Sequence, residues 1–130
     1  MHRLEITLPL PPKELAPNFR KHKHWGSRSR ATKAARGDAY LAALDAIARQ
    51  KPRGLPWGAA TVRGVFYLPP RWRGDKTNLQ GWLKAYEDGV QDAGVVVNDE
   101  VFVPLPPEVN VDKADPRVVL VVEMIETSGP

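Results

Sequence analysis

Asp75 and Asp99 stand near the two ends of one segment, RWRGDKTNLQGWLKAYEDGVQDAGVVVNDEVF (residues 71–102), with Lys84 and Asp88 between them. Carboxylates that meet from separate elements beside cations supply what Mg²⁺ requires: one or two hard oxygen ligands from protein, with water and phosphate for the rest. An ion held in this way polarises a phosphoryl oxygen and activates a water for attack. Lys84 could then stabilise the charge that develops in the transition state. The same residues fit a plainer account. Asp75 suits an N-terminal cap or a partner of the helix dipole, and Lys84 with Asp88 suits a surface i,i+4 ion pair worth a few tenths of a kcal/mol. Spacing alone leaves both open.

The elements that must position these groups follow from the periodicity of the chain. A helix over residues 77–93, stepped at about 100° per residue, collects Leu79, Trp82, Leu83, Tyr86 and Val90 on one side. Thr77, Gly81, Lys84, Asp88 and Gln91 fall on the other, with Asp92 at its margin. A strand starting after Gly94 and folding back along this helix would bring Asp99 toward its entrance. Upstream, HRLEITLPL alternates as a short strand ended by prolines. Residues 13–30 have no sustained period and are expected to be a basic loop. Ser29 or Thr32 can cap a helix through Ala34, Ala35, Ala39, Tyr40, Leu41, Leu44, Ile47 and Ala48, ending before Pro52. ATVRGVFYLP reads as a strand with a possible irregularity at Gly64. PLPPEVNVDKADP reads as turns, and RVVLVVEMI as a strand central in a sheet. Residues 127–130 are expected to fray. The order predicts one α+β domain over residues 1–130, a mixed sheet covered by two helices.

Charge is divided between the halves. Residues 1–74 hold 15 Lys/Arg against 4 Asp/Glu, whereas residues 75–130 hold 4 against 11. A basic half facing a polyanion, joined to an acidic half able to hold divalent cations, is the asymmetry expected of an enzyme acting on nucleic acid. Arg20, Lys21, Lys23, Arg28 and Arg30, interleaved with Phe19, His22, His24 and Trp25, offer point charges for phosphates and flat rings for exposed bases. Phe19 and Trp25 could equally be core anchors beneath solvated cations. With no cysteine, disulfides, thiolate metal sites and thiol nucleophiles are excluded. No apolar run approaches the length of a membrane span, and a cytoplasmic protein without a membrane partner is expected.

The central segment resembles the signature region of the RusA-type Holliday-junction resolvases, small endodeoxyribonucleases of bacteria and their phages. There Asp-x-Asp-Asn-Leu opens a helix, a lysine and a helical aspartate follow, and an aspartate after an Ala-Gly-hydrophobic stretch completes the site. This chain reads Asp75-Lys76-Thr77-Asn78-Leu79, Lys84-Ala85, Asp88-Gly89, Asp92-Ala93-Gly94-Val95 and Asn98-Asp99. The strand leading to Pro11-Pro12, Pro17-Asn18 before a basic segment with His24-Trp25, and the last strand are also similar, so the likeness covers nearly the whole chain. It implies a homodimer that nicks four-way DNA junctions in pairs, using Mg²⁺ or Mn²⁺. Asp75, Lys84 and Asp99 take the catalytic positions. Asn18, Lys33, Arg71 and Arg73 join the DNA-binding set, and Thr77 and Asn78 support the site. The departure is Thr77, a neutral hydroxyl where the family has a carboxylate. Asp88 and Asp92 are the local candidates for compensation, and the expected metal ligands are Asp75, Asp99 and Asp88. Without compensation, the chain would be a junction-binding protein that has lost catalysis. A less favoured expectation is a single-strand binder working through Phe19 and Trp25.

Overall fold

The computed structural model describes residues 2–16, 25–72 and 78–126. These form one small domain, a five-stranded mixed sheet with two helices on one face. The strands are β1 (Arg3–Leu8), β2 (Ala60–Leu68), β3 (Phe102–Pro104), β4 (Glu108–Val111) and β5 (Arg117–Met124); the helices are α1 (Trp25–Gln50) and α2 (Lys84–Asp92). The expected tail at 127–130 lies outside the described residues.

β5 is central, as its apolar run predicts, with β1 and β2 antiparallel on either side. β3 and β4 both pair in parallel with the far edge of β2, β3 near its start and β4 near its end. β4 falls where only turns were expected. Its four residues follow a proline-rich stretch, too short for alternation to register against that background. Strand alternation places Leu4, Ile6, Leu8, Val62, Phe66, Leu68, Val118, Leu120 and Val122 beneath the helices, all buried. β2 pairs with β5 in unbroken register across Gly64, so there is no bulge. A Cβ there would stand 2.6 Å from Leu83 Cδ1, and the missing side chain is the space that Leu83 fills.

α1 corrects two expectations. It begins at Trp25, so the last residues of the expected basic loop are helical, and Lys13–Leu15 forms a short 3-10 turn. Thr32 lies inside the helix, where its hydroxyl donates to the Arg28 carbonyl at 2.9 Å, one turn back, and does not act as a cap. The core face is also narrower than its larger side chains suggested. Ala31, Ala35, Ala39, Ala43 and Ala46 are buried, whereas Tyr40, Leu41 and Leu44 are exposed.

The alanine stripe exists because α2 lies almost on the α1 backbone. A Cβ on Gly89 would fall 2.2 Å from the Arg36 carbonyl oxygen and 2.7 Å from Ala39 Cβ. At the C-terminus of α1, the Gln50 side chain accepts from Glu5 N at 3.0 Å and donates to Glu5 O at 2.7 Å. It thereby occupies both backbone groups of one residue on the outer edge of β1, an edge otherwise open to another strand.

The second helical segment is shorter than residues 77–93 and starts more tightly. Gln80–Leu83 is 3-10, and the α-helix runs from Lys84 to Asp92. All five residues expected on its core side, Leu79, Trp82, Leu83, Tyr86 and Val90, are buried. Trp82 stacks on Phe66 at 6.3 Å and donates through Nε1 to the Pro12 carbonyl at 2.8 Å. Tyr86 donates its hydroxyl to Pro9 O at 2.8 Å, and burial, then Asp38, push its phenol upward. Val95–Val97 does not form the expected strand. Val96 makes one parallel bridge with Trp57, through Trp57 N to Val95 O at 2.8 Å and Val97 N to Trp57 O at 3.1 Å.

Candidate nucleic-acid interface

Helical spacing places Arg28, Thr32 and Arg36 on one row of α1 and Ser29 and Lys33 on the next. These five residues line an open groove of about 480 Å³. Arg28 is tied to the scaffold through Nη1, which donates to the Glu14 carbonyl at 2.8 Å. Arg30 and Lys33 are exposed. Of the cations singled out in the sequence, Arg28 and Lys33 therefore share this groove. Asn18, Arg20, Lys21, Lys23 and His24 lie outside the described residues, as do the Phe19 ring and the side chain of Trp25.

Arg36 joins this groove to α2. Its Nε and Nη2 donate to the two carboxylate oxygens of Asp92 at 2.6 and 2.8 Å, a bidentate pair across the helix–helix contact. The hydrogen bond from Arg36 holds the Asp92 carboxyl below the ordinary carboxylate range, against a smaller opposing effect of desolvation. Asp92 is thus committed to Arg36.

One turn earlier on α2, Lys84 Nζ donates to Asp88 Oδ1 at 3.0 Å; the Lys84 side chain is 61% exposed and that of Asp88 only 22%. Lys84, Asp88 and Asp92 thus form an i, i+4, i+8 row along α2, whose far end is bonded to Arg36 of the groove. The Lys84–Asp88 pairing follows from helix geometry, and the sequence foresaw it. Arg36, the residue that connects the two surfaces, was not singled out. The 28, 32, 36 spacing was the available signal.

Asp99 opens a short 3-10 helix, Asp99–Val101, packed beside α2 and leading into β3. It therefore precedes the strand by one helical turn instead of entering it directly. Asn98 sets that turn: its Oδ1 accepts from Glu100 N at 2.9 Å, a side-chain cap legible in the Asn-Asp-Glu order. The side chain of Asp99 lies outside the described residues, as do Arg73, Asp75 and Thr77 entirely. Asn78 is exposed at the head of the 3-10 segment.

Arg71 is exposed and adopts φ 63° in a turn closed by Trp72 N to Pro69 O at 3.2 Å. This is the third position of a Pro-led turn, where positive φ ordinarily selects glycine. Trp72 then leans on Trp82, ring centroids 5.8 Å apart.

Among the described residues, no group of three or more His, Cys, Asp or Glu side chains lies close enough to hold a metal ion. Asp88 is the one member of the expected ligand set whose side chain is described. The donors in the expected set, the carboxylates of Asp75, Asp88 and Asp99 and the hydroxyl of Thr77, are all oxygen, the chemistry that suits a hard divalent cation.

No family model matches the chain. It is similar to an uncharacterized protein of Xylella fastidiosa, 38% identical over 102 residues, a match that takes in 78% of this chain and 63% of that protein. The chain thus spans under two thirds of the length of that curated relative. Among the described residues, no helix is long and apolar enough to cross a membrane.

Proposed function

We propose that this protein is a RusA-like, Mg²⁺- or Mn²⁺-dependent endonuclease that acts as a homodimer on four-way DNA junctions. The observation that carries the reading is the Arg36–Asp92 bridge. It fixes a cation-lined groove on α1 against the flank of α2 that bears Lys84 and Asp88, beside the turn that bears Asp99. The ordered motifs from Asp75 to Asp99 support the same reading. Recombination and DNA repair, in a bacterial or phage-infected cytoplasm, are where such an activity belongs.

In this proposal the α1 groove tracks phosphates through Arg28, Lys33 and Arg36, and Arg30 and Arg71 add exposed cations. Asp75, Asp88 and Asp99 would hold the metal ion, which when bound supplies Lewis-acid polarisation of the phosphoryl oxygen and an activated water. Lys84 offsets charge that builds on the phosphoryl oxygens as water adds to phosphorus and the bond to the leaving oxygen breaks. Asp88 holds Lys84 in place through their hydrogen bond.

Thr77 favours one second reading, a junction-binding protein without cleavage, because it removes a charged oxygen from the position where the family carries one. Incubation of a labelled four-way junction with and without Mg²⁺ separates the two. Both bind, and only the enzyme leaves paired nicks. Retention of full metal-dependent cleavage by Asp88→Asn would remove Asp88 from the ligand set.

A further inference from the structure

We infer that the indole of Trp72 is a stacking platform for an unpaired base at the branch of the DNA, an assignment that rests on the branched-DNA reading above. Trp72 is then the residue that distinguishes a junction from a continuous duplex. The α1 groove cannot make that distinction by itself. Arg28, Lys33 and Arg36 meet phosphates, which a junction arm and a plain duplex carry alike. What a branch adds is a base whose flat face has lost its covering neighbour. An aromatic ring covers such a face whatever the base.

Three rings stand in a column at the entrance to α2. Phe66, fully buried on β2, stacks with Trp82, centroids 6.3 Å apart and planes within 3°. Trp72 leans on Trp82 in turn, centroids 5.8 Å apart at 33°. Trp82 is itself buried, and its Nε1 donates to the Pro12 carbonyl at 2.8 Å. Trp72 is the outer member of the column and only partly buried.

The backbone holds Trp72 in that place. Pro69 and Pro70 have φ fixed by their rings, and Trp72 N donates to Pro69 O at 3.2 Å. Arg71, inside this turn, takes φ 63°. Residues other than glycine that are kept in such conformations cluster at active sites and ligand clamps. The exposed Arg71 and Trp72 thus supply, from adjacent positions, a cation for a phosphate and a face for its base, the combination used on unpaired strands. Shielding Trp82 from water is the plainer role for this side chain, and leucine would meet it as well.

Position ties the platform to the proposed chemistry. Trp72 precedes Asp75 by three residues, a span of at most ~11 Å, and Trp82 precedes Lys84 by two. A base held on Trp72 leaves its adjoining phosphates near the residues proposed to cut them. Because the ring is already packed in place, stacking orders little that was free.

Binding by the full chain is measured in EDTA, so that no strand is cut, on a four-way junction and on a linear duplex. Both carry 2-aminopurine at the same sequence position, which adjoins the branch in the junction. The wild type is expected to prefer the junction and to quench its 2-aminopurine. Trp72→Leu is expected to weaken junction binding by about 5- to 150-fold and to leave the 2-aminopurine bright, with duplex affinity and circular dichroism unchanged. Trp72→Phe is expected to keep most of the preference. Should Trp72→Leu fail to fold, 5-iodouracil at the branch of a junction bound by the wild type is expected to cross-link to Trp72 on irradiation. A wild type that binds neither DNA would sink the branched-DNA reading and the platform with it. With binding intact, the platform alone is overturned by any of these results: no junction preference in the wild type, the same preference in Trp72→Leu, an equal loss on both DNAs, 2-aminopurine left bright by the wild type, or a cross-link elsewhere.

Discussion

Arg36 and Asp92 illustrate what one pair of side chains contributes and when. The carboxyl is held below its ordinary value by the Arg36 hydrogen bond, so the pair adds stability that is fully present above the unfolded-state value near ~3.9. That stability is lost as pH falls through the lowered folded-state value. The pair is partly exposed, with side chains at 49% and 36%, so its contribution is set at about 0.5–1 kcal/mol. Asp92→Asn is therefore expected to lower the melting temperature by about 2–4 °C at pH 7, with the gap closing as pH falls below the ordinary carboxylate range. Arg71 offers the opposite trade. A non-glycine residue in the left-handed region costs about 1 kcal/mol, so Arg71→Gly should stabilise the fold by about that much while weakening DNA binding and reducing the salt slope by about one. Equal affinity in the two proteins would remove Arg71 from the interface. At this scale the sequence reveals local pairs, such as Lys84 with Asp88, because helix geometry alone makes them. Arg36 with Asp92 requires two helices to meet, and no spacing within either one announces that.

Between elements, the decisive contact is the approach of α2 to α1. Gly89→Ala would drive a methyl into the Arg36 carbonyl, a backbone atom, and is expected to cost about 2–3 kcal/mol in chemical denaturation. Gly64→Ala meets side-chain atoms instead, Leu83 Cδ1 at 2.6 Å and Phe66 Cε2 at 2.9 Å, and since side chains yield more readily than backbone its cost should be smaller. The reverse order would mean that the two helices are less tightly seated than their backbones indicate. The same closeness explains why the faces of α1 were misread. Large apolar side chains normally mark the buried side, but a helix packed against backbone buries alanine and leaves Tyr40, Leu41 and Leu44 outside. β1, β2 and β5 were legible because alternation over six to nine residues is a strong signal. β4 is short and proline-flanked, and Val95–Val97 is held by a single bridge to Trp57 that no local pattern encodes.

For the molecule as a whole, the split between a basic first half and an acidic second half becomes a division of surfaces. The cations of α1 line a groove, while the uncovered sheet face carries both signs. DNA binding through Arg28, Lys33, Arg36 and one or two neighbours should show a slope of log affinity against log salt of about −3.5 to −4.5. A slope near zero would exclude the groove as a phosphate track. The α+β architecture and the central place of β5 could be read from the sequence, whereas the relation of the α1 groove to α2 depended on tertiary contact. The central claim is that this chain cuts branched DNA with carboxylate-held metal. Its most direct test is a four-way junction cleavage assay in Mg²⁺ comparing wild type, Asp75→Asn and Thr77→Asp. The account predicts paired nicks by the wild type, their loss in Asp75→Asn, and faster cutting by Thr77→Asp. A junction that is bound but left intact by the wild type and by Thr77→Asp, in Mg²⁺ and in Mn²⁺, would contradict it.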